Sequence, residues 1–307
     1  MDLNSSNYEL RNKGVFGKRY DKKPIPRIRK FKPENKDDTL YGAELTYPAG
    51  VAARYRKRLS ALVNQMTNEV TQRILQLFRS PKAQQSLALD WSLASQARIL
   101  GDKLARKYKL LFDDAAWELA QQLVDEASDV SAAAVATSLK KISENLTIKT
   151  DFVTAGMEEI AKASVAENVS LIKSIPEQYL TRVQGEVMRS ITNSGGGLGE
   201  LTKALEKYDG MTKTRAANIA EDQTRKVYTS INAKRLQRVG LDKFQWKYNF
   251  VGQKSRELHV QMNGNVYSFS EPPTIQESPL VKGLPGELPY CHCSITPVVV
   301  FDNEEDK

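Results

Sequence analysis

Cysteine and histidine are nearly missing from this sequence, with two of each among 307 residues. Two cysteines cannot staple a chain of this length. A bridge between Cys291 and Cys293, two positions apart, would violate the geometry a disulfide demands. A disulfide scaffold is therefore excluded, and reduced thiols of the cytosolic kind are expected. Long hydrophobic runs are missing as well. No stretch reaches the roughly 18 uncharged apolar residues needed to span a bilayer, and no apolar segment of signal-peptide type follows the start. The expectation is a chain that is soluble when made and has no membrane partner in its assembled state.

The chain does have charge, and that charge is concentrated. The net charge is +8, yet the stretch "RNKGVFGKRYDKKPIPRIRKFK" holds Arg11, Lys13, Lys18, Arg19, Lys22, Lys23, Arg27, Arg29, Lys30 and Lys32 against Asp21 alone, a local +9. The rest of the chain is close to neutral, so basicity is a property of an arm and not of the whole surface. Residues 1–40 show neither helical nor strand periodicity and contain Pro24, Pro26 and Pro33, which reads as an extended or disordered arm. Phe16, Tyr20, Ile25, Ile28 and Phe31 interleave with the charges. Such a segment suits phosphates, stacked bases or an acidic groove, and a solvated tail is the alternative. The last residues, 302–307, form an acidic tail.

Between the arm and residue 195 the apolar period is helical. Val51, Tyr55, Leu59, Leu62, Met66, Val70, Ile74, Leu77 and Phe78 recur every three or four residues, as on one stripe of a long amphipathic helix. Leu100, Leu104, Tyr108, Leu111, Ala115 and Leu119 make another stripe, and Leu180, Val183, Val187 and Ile191 a third. Ser174, Pro176 and Glu177 carry the features of a helix start, a capping box with proline in the first turn. "NSGGGLGELTKAL" then breaks the pattern. Without a preceding strand or a P-loop match it reads as a helix-ending hinge more readily than as a phosphate cradle. A further helix is expected from about Thr212 to Val239. It buries Ala216, Ile219, Ala220, Val227, Ile231 and Leu236, exposes a basic side and stops at Gly240.

After Gly240 the period becomes two. Phe244, Trp246, Tyr248 and Phe250 alternate with polar residues, Asn263 and Gly264 signal a turn before "NVYSF", and a proline-rich loop leads to a last strand, "YCHCSITPVVVF". The expected fold is α+β and predominantly α-helical: an elongated helical region over 41–195, then a small α+β domain over 196–301 with a short antiparallel sheet.

The scarce residues cluster in this last part. On a strand, Cys291 and Cys293 would share a face and His292 would turn away. With His259 they make three ligands of the kind zinc prefers, and His292, Glu287, Glu257 or water is open as the fourth. Spacing alone leaves a metal site and buried, inert thiols as alternatives. An H-x-x-x-N element at His259 and Asn263 also raises a metal-dependent nuclease, in which histidine activates water. No carboxylate cluster follows to hold a hard cation, so catalysis is not the expectation.

The ordered run of the I-P helix "SIPEQYL", the I-A-x-D-Q-T helix "IAEDQT", an aromatic strand with Trp246, R-x-x-H followed by N-G, and "PGELPYCHC" resembles the phage Mu protein F-like family. These are minor head, or head morphogenesis, proteins of tailed bacteriophages. The likeness covers about residues 170–300. The family pattern has arginine between the two cysteines, where this chain has His292. The resemblance implies a structural, non-enzymatic protein of the virion head at or near the portal vertex, assembled in the host cytoplasm and present in several copies. It further implies partnership with portal or major capsid protein and contact with packaged double-stranded DNA, and it makes His259, Cys291 and Cys293 candidate zinc ligands. A head-associated or ejected nuclease is the alternative.

Overall fold

The computed structural model describes residues 39–80, 91–142, 155–192, 197–250 and 255–300. The basic arm, with all ten of its cationic residues, the glycine run at 193–196 and the acidic tail lie outside the described residues. In chain order the elements are β1 (Leu40–Tyr41), α1 (Ala49–Arg79), α2 (Trp91–Ile142), α3 (Ala155–Thr192), α4 (Gly197–Arg238), β2 (Lys243–Lys247), α5 (Glu257–Gln261), β3 (Val266–Ser268), β4 (Thr274–Gln276), β5 (Val281–Lys282) and β6 (Ser294–Val299). The expected class, predominantly helical α+β with a small antiparallel sheet, is the one observed. Among the described residues no helix is long and apolar enough to cross a membrane.

The described residues fall into two compact units. One draws on Met1–Val51, Gln121–Ser164 and Asp222–Lys307, the other on Ala52–Ala120 and Val165–Glu221. Among its described residues the elements of the second unit are helices. Val51 apart, the first stripe lies in this unit, and Tyr55, Leu59, Met66, Val70 and Ile74 are buried as its period requires. On α2 the buried line runs through Leu104, Tyr108, Phe112, Ala116 and Leu119, so it drifts off the expected Leu111 and Ala115. Several buried polar groups in this unit are paired. The Tyr55 hydroxyl donates to Asn168 Oδ1 at 3.1 Å, and Asp209 accepts from the Tyr179 hydroxyl at 2.7 Å and from Thr71 at 3.3 Å. Burial pushes the Asp209 carboxyl above its ordinary range despite these donors.

Two expected helix starts are absent. α3 runs unbroken through Pro176, and Ser174 caps nothing: its hydroxyl donates back to the Leu171 carbonyl at 2.7 Å and accepts from Arg215 Nη2 at 2.8 Å. Pro176 removes the amide that would donate to the Ile172 carbonyl, yet the helix continues past it. Likewise α4 starts at Gly197 and not near Thr212, continuing through Gly210, which is exposed. Its end is as expected. Gly240 adopts φ 86°, and the Leu241 amide donates to the Leu236 carbonyl at 2.9 Å, a left-handed stop that a side chain would resist.

The other unit carries the sheet. Its strand order is β1-β6-β2-β3, every pair antiparallel, with Phe244 opposite Pro297 and Trp246 opposite Ile295. β1 pairs Leu40 with Val299, bringing residues far apart in sequence together. The proline-rich segment, expected as a loop, contains the separate hairpin β4–β5. Phe244 and Trp246 face one core with Val135 and Leu139 of α2, Tyr228, Leu236 and Val239, Met262, Phe269 and both cysteines. Phe244 stacks on Phe269 at 4.6 Å between ring centres. Within this unit α2 and α4 are also tied by polar contacts, Ser131 to Asn232 at 2.6 Å and Arg235 Nη2 to Ser128 Oγ at 2.7 Å.

One carboxyl in this unit titrates far from its usual range. Burial pushes Asp125 up to about 6, and neighbouring Asp129 adds to the rise while the Gln121 amide, donating at 3.1 Å, opposes it. The folded state therefore holds a proton that the unfolded chain, with an ordinary carboxyl near 3.9, has released between about pH 4 and 6. Stability from this group falls as pH rises through that window. Asp125→Asn is expected to raise urea stability at pH 7.5 by about 1 kcal/mol, discounted for the group's half exposure, and to change it little at pH 4. Equal gains at both pH values would exclude this origin.

Candidate metal centre

His259 comes from α5, a five-residue helix too short to persist on its own. The sheet holds it in place. The Gly264 amide donates to the Trp246 carbonyl at 2.9 Å, the Trp246 amide donates to Asn265 at 2.9 Å, and Asn263 Oδ1 accepts from the Tyr248 amide at 3.0 Å. Cys291 and Cys293 lie just before β6, whose first residue is Ser294, so the last strand is shorter than expected and the cysteines do not owe their common direction to strand alternation. The loop nevertheless turns both sulfurs toward His259.

The three donor atoms lie within 4.8 Å of one another, and all three residues are buried. His259 Nδ1 is 3.4 Å from Cys291 Sγ and 3.8 Å from Cys293 Sγ. The other ring nitrogen, Nε2, lies 3.1 Å from the Ile275 carbonyl. A carbonyl can only accept, so the proton sits on Nε2 and the Nδ1 lone pair faces the sulfurs, the tautomer a metal ligand needs. Trp246 packs edge-on against the imidazole at 5.2 Å.

The sulfurs sit among N–H groups. Cys291 Sγ accepts from the Gly286 amide at 3.3 Å and from the Cys293 amide, while Cys293 Sγ accepts from the Asn249 amide. The buried Trp246 indole N–H has no conventional acceptor, and it lies close enough to Cys293 to favour that thiol's charged form. Such a surround suits sulfur anions and not two inert thiols. The hydrogen bond with Cys293 pulls Cys291 down to about 4, helped by His259, and the same bond pushes Cys293 up. The pair thus shares one proton, and a bound cation would release it. Two thiolates and one imidazole fit a borderline-soft divalent ion such as zinc.

The other named candidates are elsewhere. Glu287 Oε2 accepts from the Leu284 amide at 2.8 Å, closing the turn before the cysteines. Among the described residues the convergent group holds His259, Cys291 and Cys293, without His292, Glu287 or Glu257. The nuclease pairing finds no geometry here either. His259 is 3% exposed, and Asn263 serves the backbone of Tyr248. The indole and amide donors around the sulfurs were invisible to spacing rules, since Trp246, Asn249 and Gly286 meet the cysteines only through the fold.

Residues 181–296 match the model of the family described as phage Mu protein F like protein. An uncharacterized protein of Haemophilus influenzae is 29% identical over 266 residues, an alignment covering 82% of this chain and 53% of the relative. The chain thus spans about half the length of that curated relative. No solved structure matches. Residues 181–296, which supply His259, Cys291 and Cys293 together with the strands that position them, are thus the part of the chain that is similar to the phage Mu protein F-like family.

Proposed function

We propose that this protein acts in bacteriophage head morphogenesis as a structural component, and that its His259, Cys291 and Cys293 cluster holds zinc as a clasp within the sheet-bearing unit. The family match carries the first part, and the convergence of three metal-type donors, all buried, carries the second. A buried site lacking carboxylates among the described residues favours structural zinc over a hydrolytic centre, which needs a position open to substrate. Bound zinc would supply cross-linking and charge neutralisation, while the chain's own residues preset the imidazole tautomer and the thiolates.

The finer placement is part of the same proposal: a position in the virion head near the portal vertex, portal or major capsid protein as partner, several copies per particle, and the arm from Arg11 to Lys32 against packaged DNA. Ten cations in so short a stretch would neutralise phosphates and release counterions, giving salt-sensitive binding without sequence preference. Mass spectrometry of purified heads and mature particles, with cross-linking, is the test. The protein is expected in heads, cross-linked to portal or capsid subunits. Its absence from both heads and virions would overturn the reading.

A further inference from the structure

The sequence motifs that accompany the cysteines lie far apart along the chain. In the fold they converge on one loop. Asp222, from "IAEDQT", accepts a hydrogen bond from the Tyr290 amide at 2.9 Å. Arg256, from the "RELH" element, donates through Nη2 to the Pro289 carbonyl at 2.8 Å. Gly286, from "PGE", donates its amide to Cys291 Sγ at 3.3 Å, and Glu287 closes the turn at Leu284. All of these partners lie within the sheet-bearing unit.

Tyr290 shows why the loop must be held. It is the one non-glycine among the described residues at positive φ, 59°, and its side chain is half exposed, so no core packing fixes the backbone there. Left-handed geometry at a tyrosine costs on the order of 1–2 kcal/mol and persists only where surrounding contacts over-determine it. The carboxylate of Asp222, at the Tyr290 amide, and the guanidinium of Arg256, at the Pro289 carbonyl, grip the two polar groups of the single Pro289–Tyr290 peptide. The next residue is Cys291. Gly286 completes the arrangement. At φ 83° it lies so close to α4 that a Cβ there would come within 3.2 Å of Arg225 Cβ, and from that position its amide reaches the sulfur.

We infer that Asp222 and Arg256 are positioning residues that hold the Tyr290 backbone in its left-handed conformation and thereby set Cys291 to bind a metal ion. This rests on the zinc reading above, although the loop geometry is independent of it. Removing a group that orients a ligand typically weakens metal binding by about 10- to 100-fold. The two clamps act on one and the same peptide, so their effects should not be additive.

The test uses the full-length protein, zinc affinity by chelator competition, and the visible spectrum of the cobalt(II)-loaded form, which reports thiolate count and tetrahedral geometry. Asp222→Ala is expected to weaken zinc binding about 10- to 100-fold and to reduce the sulfur-to-cobalt charge-transfer band. Asp222→Asn keeps the Oδ1 acceptor and should restore most of both. Arg256→Ala, at a partly exposed residue, provides a second reading should Asp222→Ala fold poorly. Wild-type affinity and spectrum in both alanine variants would overturn the inference while leaving the zinc site standing. Failure of the wild-type protein to bind zinc or cobalt would instead sink the zinc reading itself. A loss in Asp222→Asn as large as in Asp222→Ala would also count against the clamp, because the accepting atom survives there.

Discussion

Replacing Cys291 and Cys293 together by serine is expected to strip stoichiometric zinc from the purified protein and to lower its melting temperature by on the order of 10 °C. A metal that binds only the folded chain contributes its binding energy to folding, and serine has neither the softness nor the acidity to replace a thiolate. The substitution also leaves the Gly286 and Asn249 amides and the Trp246 indole facing neutral hydroxyls at a buried site. Prolonged exposure of the wild-type protein to a strong chelator should reproduce most of the loss, and readdition of zinc should reverse it. Elemental analysis finding no metal in freshly purified, chelator-free protein would remove the claim. So would a double variant that melts with the wild type.

Trp246→Ala should be the most destabilising single change outside the cysteines, costing about 3–5 kcal/mol in urea unfolding. The residue is fully buried, sits on β2 opposite Ile295, and touches the imidazole and the Tyr267 ring. Truncation would leave a cavity beside the metal ligands as well as breaking their alignment. Trp246→Phe separates the two roles. It keeps an aromatic ring in the core but removes the indole N–H next to Cys293, so it should weaken zinc binding more than its smaller stability cost would suggest. Should Trp246→Ala unfold at the wild-type urea concentration, the residue is not the keystone of the sheet. If Trp246→Phe binds zinc as tightly as wild type, the indole N–H plays no part in the site.

Periodicity found the elements whose packing is local and repetitive. Tyr55, Leu59 and Met66, and later Phe244 and Trp246, lie where three- and four-residue or alternate spacing puts them. It failed where a signal has two meanings. Ser174 with Pro176 is as good a helix start as a helix interior by composition, and only Arg215, arriving from α4, decides for the interior. Gly210 looks like a break until Asp209 is seen anchored by Tyr179 and Thr71. The metal donors were legible because they are rare, but the argument that grouped Cys291 with Cys293 presumed a strand that starts at Ser294. Their convergence comes instead from a loop held by Asp222 and Arg256, contacts that no spacing rule contains.

The pairing of Leu40 with Val299 has a consequence for the order in which the protein can be finished. Every residue of the helical unit is synthesised by Glu221, whereas β6, the strand between β1 and β2, emerges roughly 80 residues later. At ribosomal speeds of about 5–20 residues per second, that is a wait of some 4 to 16 s. Through that interval Leu45, Val135 and Leu139 have been made but lack the sheet that will cover them, and His259, made about halfway through it, lacks both sulfurs until its end. The sheet and the candidate metal clasp are therefore completed together, once Cys291, Cys293 and β6 have left the ribosome.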